Sequence, residues 1–285
     1  MNMTMIQDPP TRAGYRPVKV KSNSQISTVR KEKFDWSQLI ANDFSAAATG
    51  YHEHNIVQKH TSSMLCHQLS AQGILLDIGA GPGTDFSLFP KVNSVISLDI
   101  AGGMLNKLTE NFPEYKAIQG DAESLPLLSN SVNAIYSNLA LQWCRDIRQA
   151  ILEAARVLMP SGSCEISVVA ENSLPELTSL GFKVNRFQSF ETLVSCFDKQ
   201  HWQLIEARLE PVTVYFDDLK ALLYSIKGVG ASATTNEQMQ PSLRLRGRQD
   251  WLSLNEKANR LKQSKGIPLT YNVVVIRAKR KLSRV

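Results

Sequence analysis

The chain has 285 residues, an apolar fraction of 43% and a net charge of +6. That is enough for one sizeable core, and no apolar run approaches the length of a membrane-crossing helix, which argues against a membrane role. Met1–Pro10 lacks the apolar stretch of a secretory signal, and Cys66, Cys144, Cys164 and Cys196 show no CxxC spacing. The expectation is a cytoplasmic protein with reduced thiols and no metal centre. His52 and His54 flank Glu53 without a third ligand at useful spacing, so they do not change that expectation.

Charge is distributed unevenly. Residues 1–33 carry +5, residues 34–240 carry −9 and residues 241–285 carry +10. A basic tail on an acidic body suits an acidic partner, either nucleic acid or an acidic protein.

In chain order, residues 1–33 mix Pro9, Pro10 and Pro17 with Ser, Thr and basic residues and show no apolar period, so a mobile basic extension is expected. A single domain should follow over 34–285. Helical pattern begins near Phe34 and recurs over Glu53–Leu69, where Val57, Met64, Leu65 and Leu69 share a face. Ile74–Ile78 is then a short apolar run that stops at a glycine cluster, as a buried parallel strand does. Val95–Asp99, Tyr115–Gln119, Val132–Ser137 and Cys164–Val169 read as further strands, with helices over Met104–Thr109 and Ile147–Leu158. Alternating strands and helices predict a parallel sheet with helices on both faces. After Ala170 the alternation weakens. Residues 172–200 and 217–265 read as mostly helical, Val212–Phe216 as a strand and Thr270–Ala278 as a closing strand. The helical stretches are expected to cap the C-terminal edge of the sheet, where such folds bind ligands.

The strongest local signal is Asp77-Ile78-Gly79-Ala80-Gly81-Pro82-Gly83-Thr84 after the first strand. Glycines there let the backbone turn sharply and approach a ligand. Asp99 lies 22 residues beyond Asp77, at the end of the next strand, where an acid accepts hydrogen bonds from ribose hydroxyls. Dinucleotide sites prefer G-x-G-x-x-G, with a pyrophosphate on the helix N-terminus. The G-x-G-x-G spacing here, with Asp77 two residues upstream, resembles motif I of class I S-adenosylmethionine-dependent methyltransferases. That resemblance implies S-adenosylmethionine as cofactor. Asp77 and the loop amides of Gly79, Ala80, Gly81 and Gly83 would hold its methionine end, and Asp99 its ribose. Gly120-Asp121-Ala122-Glu123 resembles the element that touches adenine, with Asp121 accepting its amine, Ala122 beside it, and Ile100 and Met104 packing on the ring. Asn138, at the end of the fourth strand, would face the methyl group.

Further landmarks point to one family. Ser137-Asn138-Leu139-Ala140-Leu141-Gln142-Trp143-Cys144 resembles the motif after the fourth strand of the malonyl-acyl-carrier-protein O-methyltransferases of biotin synthesis. Phe44–Ala48 with Tyr51 and Gln58, Asn172–Leu177, Asn185-Arg186-Phe187, Lys227–Ala231 and Pro268–Tyr271 are similar to its other landmarks, so the likeness spans about residues 44–278. The long N-terminal extension and Gly79-Ala80-Gly81 in place of Gly-Cys-Gly depart from the pattern. The resemblance implies a Rossmann-like α/β fold, a seven-stranded mostly parallel sheet with a helical cap. It implies methyl transfer to the free carboxylate of a malonyl thioester on acyl carrier protein or coenzyme A. A carboxylate with a pKa near 4 is already the nucleophile, so no general base is needed and no catalytic residue is singled out. A cation should select the malonyl carboxylate, with Arg186 the first choice and Lys227 the second. Tyr51 and Gln58 share a helix face and would close over the methyl site, while Trp143 would wall the pocket. On this view the basic C-terminal segment, with Arg244, Arg246 and Arg248, docks the acidic carrier. Asn138-Leu139-Ala140-Leu141 lacks the Asn/Asp-Pro-Pro-aromatic pattern of base amino-methylating enzymes, which argues against nucleic acid. The remaining alternatives are another small-molecule substrate and a protein-modifying assembly factor on the same sheet.

Overall fold

The computed structural model describes residues 30–231 and 247–282, with side chains from Trp36 onward. Helices α1 (Arg30–Ala47), α2 (Tyr51–His54) and α3 (Ile56–Gln68) precede strands β1 (Gly73–Ile78) and β2 (Val92–Asp99). Helix α4 (Gly102–Asn111), strands β3 (Lys116–Gln119) and β4 (Val132–Asn138), and a short turn of helix at Leu141–Trp143 follow. Then come α5 (Ile147–Val157), β5 (Leu158–Val169), α6 (Pro175–Ser179), α7 (Phe190–Ser195) and β6 (Trp202–Phe216). Helices α8 (Leu219–Gly228) and α9 (Arg248–Arg260) lead into β7 (Ile267–Arg280). Most of the extension expected over 1–33 lies outside the described residues, and α1 already begins at Arg30.

The strands form one seven-stranded sheet in the order β3-β2-β1-β4-β5-β7-β6. Strands β1 to β5 pair in parallel, and β7 runs antiparallel between β5 and β6. Leu75, Leu76 and Ile78 of β1 and Val95, Ile96 and Leu98 of β2 are all buried, because helices cover both faces of the sheet. Helix α5 packs Ile151, Ala154 and Ala155 against one face, and its first turn is capped by Asp146, whose side chain accepts from Gln149 N. Leu65 of α3, Leu222 of α8 and Leu254 of α9 belong to the core on the other face. The strand order reverses between β1 and β4, which opens a crevice at the C-terminal ends of these strands.

Residues 79–91 cross from β1 to β2 as turns, with no helix after the glycine cluster, and two expectations for later segments need correction. The Asp85 carboxylate captures the Ser87 amide at 2.8 Å, Phe86 N donates to the Tyr115 hydroxyl, and Pro90 closes the segment. Local side-chain capture competes with a helix in so short a crossover. Residues 172–200 carry only α6 and α7, each under two turns, joined by irregular chain. Here Asn172 and Leu174 adopt left-handed backbone (φ 61° each), and side chains tie the segment to β7. Glu176 accepts from Thr270 N and Oγ1, and Ser173 Oγ accepts from Asn272 N. Strand β6 is also far longer than Val212–Phe216. As an edge strand it exposes one face, and Arg208 there pairs with Glu206 and Glu210, so its polar stretch hides the period in the sequence. In the stretch 217–265, α8 and α9 are helical, and residues 232–246 lie outside the described residues. Among the described residues no helix is long and apolar enough to cross a membrane, and no group of three or more His, Cys, Asp or Glu could hold a metal ion.

Candidate active site

The turn after β1 depends on glycine at two points. Gly79 has φ +71°, and a methyl group there would overlap Ala140; its amide donates to Leu98 O at 2.8 Å, which fastens the turn to β2. Gly83 has φ +99°, and a Cβ would enter the Phe112 ring. Between them Gly81 N donates to Asp99 Oδ2 at 2.8 Å, while Asp99 Oδ1 accepts from Ala101 N at 2.8 Å. One carboxylate thus ties the turn to the start of α4. Burial pushes the Asp99 pKa up, and these amides oppose the shift. Asp77 is only 1% exposed and its Oδ2 has no hydrogen-bond partner. Its pKa is well above the usual carboxylate range, chiefly through burial and secondly through the charge of Asp99.

Three cavities meet at Tyr51. The first is a slot over the ends of β1, β2 and β3. Ile100, Met104, Asp121 and Ala122 line its sheet side, and Trp36, Ile40 and Phe44 of α1 cover it. The cover is fastened: Trp36 Nε1 donates to Trp143 O at 3.1 Å, Ser37 Oγ reaches Asp121 at 3.5 Å, and the Phe44 and Trp143 rings meet edge-on. The second cavity, about 660 Å³, lies between α3 and the glycine turn; polar side chains such as Asn55, Lys59, Ser62 and Thr84 line it, with Asp77, Ala80 and Gly83 in its wall. The third, about 280 Å³, lies under the cap, where Trp143, Leu174, Phe187 and Tyr271 make an apolar wall carrying Lys183 and Lys227. Burial, reinforced by Asp99 and Asp77, raises the Tyr51 pKa far above the usual phenol value, so the junction holds a neutral hydroxyl. Asn138 borders the first two cavities, but its amide donates to Gln58 O at 2.9 Å and accepts from Ser167 Oγ at 2.7 Å. It therefore pins α3 to the sheet as well as facing the junction.

Residues 76–166 match the methyltransferase-domain family. A malonyl-[acyl-carrier protein] O-methyltransferase of Enterobacter lignolyticus is 32% identical over 246 residues, covering 83% of this chain and 94% of that one. The chain belongs to the malonyl-acyl-carrier-protein O-methyltransferase family. The biotin biosynthesis bifunctional protein BioHC of Cellvibrio japonicus is 32% identical over 245 residues, which make up 82% of this chain and 48% of that longer protein. Among solved structures, a methyltransferase-like protein of Bacillus halodurans shares the fold, with a TM-score of 0.55, 14% identity, and 77% of this chain and 98% of that one covered. The cofactor of the family is S-adenosylmethionine, and the residues present fit it. A buried acceptor without a partner, Asp77 Oδ2, stands beside a glycine turn at which only the Tyr51 phenol comes within 4 Å of where a Cβ of residue 81 would stand.

Against this family frame, the site residues expected from sequence separate. Gly79, Gly81, Asp99, Ile100, Met104, Asp121, Ala122, Trp143 and Tyr51 border the slot, and Asp77, Ala80 and Gly83 border the polar cavity. Lys227 stands at the rim of the cap cavity. Arg186, the first choice for the substrate cation, is exposed and lines none of the three cavities, whereas its neighbours Asn185 and Phe187 line the third. Sequence reading missed Lys183 and the α1 cover. Lys183 sits in an irregular segment without periodicity, and Trp36 precedes any landmark. The Lys227–Ala231 landmark also gains a physical reason. A Cβ at Gly228 would overlap the His54 ring, and one at Gly230 (φ +78°) would meet Phe44, so these glycines let the cap touch the N-terminal lid.

The raised pKa of Asp77 yields a pH prediction. An ammonium partner lowers that pKa, so ligand binding should expel a proton from the protonated fraction of Asp77. Affinity for S-adenosylhomocysteine should then fall as pH drops below the raised pKa. Calorimetry in buffers of different ionisation enthalpy measures this proton release directly, and Asp77→Asn should abolish it.

Proposed function

We propose that the protein methylates the free carboxylate of a malonyl thioester, on acyl carrier protein in the cytoplasm, with Tyr51 marking the point of transfer. The observation that carries the reading is the meeting of a slot lined by Asp99, Ile100, Met104 and Asp121, a polar-lined cavity ending at an orphaned acid, and a cation-rimmed apolar cavity at one phenol. When bound, S-adenosylmethionine supplies a methyl group activated by a positively charged sulfur. The malonyl carboxylate needs no base at neutral pH, so the task of the chain is alignment and exclusion of water. The neutral Tyr51 hydroxyl orients groups at the junction. Phe44, Trp143 and Leu139 exclude water around it. Lys227, with Lys183, meets the malonyl carboxylate from the rim; an exposed ammonium neutralises it without the two-point grip that would blunt the attacking oxygen. Residues from 34 onward form the catalytic domain, with the segments at about 172–200 and 217–265 supplying its cap and β6 and β7 completing its sheet.

The test is transfer of label from S-adenosylmethionine to malonyl-acyl carrier protein, together with rescue of a strain lacking the biotin-pathway methyltransferase. Label on the carrier and growth without biotin are expected; an unmethylated carrier under conditions where the nucleoside binds would remove the reading. Arg186, beside the cavity mouth, is assigned to the acidic carrier surface, along with Arg248; Arg244 and Arg246 lie outside the described residues. Arg186→Glu should slow association with the carrier and weaken its salt dependence, while leaving transfer to malonyl-coenzyme A unchanged.

A further inference from the structure

The polar cavity between α3 and the glycine turn contains more than the motif acid. Asn55 occupies the N-cap of α3, a position where Asn normally accepts from a helix amide. Here its side chain makes no capping bond. The residue is 7% exposed, and Oδ1 is buried with no partner. Asn55 and Asp77 therefore present two partnerless buried acceptors in one cavity wall. Leaving such atoms unpaired is unfavourable, and a donor with several hydrogens aimed at both would satisfy them together. Lys59, one turn along α3, lines the same cavity, and its Nζ donates to His52 O at 3.2 Å. The mouth is bridged from the lid to the turn: His52 Nε2 lies 3.3 Å from Asn111 Nδ2, which donates to Pro82 O at 2.9 Å. The walls thus offer acceptors deep inside and a cation near the opening. That order of charge suits a zwitterion, its ammonium inward and its carboxylate outward.

We propose that Asn55 and Lys59 complete, with Asp77, the subsite for the amino-acid end of the nucleoside ligand: Asn55 Oδ1 shares the α-ammonium with Asp77, and Lys59 faces the α-carboxylate. This rests on the methyltransferase reading and extends it to the start of α3. The missing crossover helix is part of the arrangement, because the turns over 79–91 leave the cavity room beside Thr84 and Asp85.

The experiment uses two nucleosides and the full chain. S-adenosylhomocysteine carries the amino-acid end; 5′-methylthioadenosine has the same adenosine and sulfur but lacks it. Calorimetric Kd values are measured for wild type, Asn55→Leu and Lys59→Met. Each substitution should weaken S-adenosylhomocysteine by about tenfold, the scale of one hydrogen bond to a charged group, and leave 5′-methylthioadenosine unchanged. Unchanged affinity for S-adenosylhomocysteine in both variants overturns the proposal. Equal weakening of both nucleosides also overturns it, since the positions would then act on the fold. Lys59 is exposed, so its variant keeps the test decisive if Asn55→Leu does not fold. If wild type bound neither nucleoside, the methyltransferase reading itself would fail, a result distinct from the others.

Discussion

Replacing Asp99 by Ala is expected to weaken S-adenosylhomocysteine by at least about 100-fold, because two ribose hydroxyls lose a charged acceptor at about 1.5 kcal/mol or more each. The loss goes further than the ligand contacts. Asp99 also receives Gly81 N and Ala101 N, so its removal frees two amides and loosens the turn against α4. Asp99→Asn should lose less, since one oxygen remains to accept. Because ribose is common to both nucleosides, 5′-methylthioadenosine should weaken in parallel, the opposite pattern to that expected for Asn55 and Lys59. Circular dichroism should show the variant folded, as the buried acid already opposes ionisation. A 5′-methylthioadenosine affinity equal to wild type would show that Asp99 holds the turn and never meets the ribose.

The parallel half of the sheet was legible because its strands are buried on both faces. Ile74–Ile78 and Val95–Asp99 are near-continuous apolar runs, and the glycines that end the first signal a turn of positive φ. The acids that line the cavities were readable for the same reason, since Asp77 and Asp99 stand at the ends of β1 and β2 and Asp121 just after β3. The cap was not. Its chain from Asn172 to Phe187 is held by Glu176 on Thr270 and Ser173 on Asn272, contacts nearly one hundred residues apart in sequence that leave no local period. Edge strand β6 was shortened in the reading because charged residues on its open face interrupt the apolar alternation. The choice of Arg186 over Lys227 shows the same limit. Guanidinium geometry favours a carboxylate, but which cation borders a cavity is decided by the path of an irregular segment, and that segment sets the exposed Lys183 on the cavity lining and leaves Arg186 off it.

That choice can be settled by kinetics with malonyl-coenzyme A, which removes the carrier surface from the measurement. Lys227→Glu puts an anion at the rim of an apolar cavity that must receive another anion. Lys227 is exposed at the rim, so solvent screens part of the repulsion, and kcat/KM should fall by about two orders of magnitude. Lys227→Met removes attraction without adding repulsion and should cost about one order, with most of the change in KM, since the ammonium serves ground state and transition state alike. Adding Lys183→Met should deepen the loss if both amines share the carboxylate. The Kd of S-adenosylhomocysteine should not move in any of these variants, because Lys227 borders only the cap cavity among the three. Arg186→Met should leave malonyl-coenzyme A kinetics near wild type. A large loss there with a mild one at Lys227 would mean that the cap shifts on substrate binding and carries the guanidinium inward, returning the carboxylate to the residue that bidentate geometry favours.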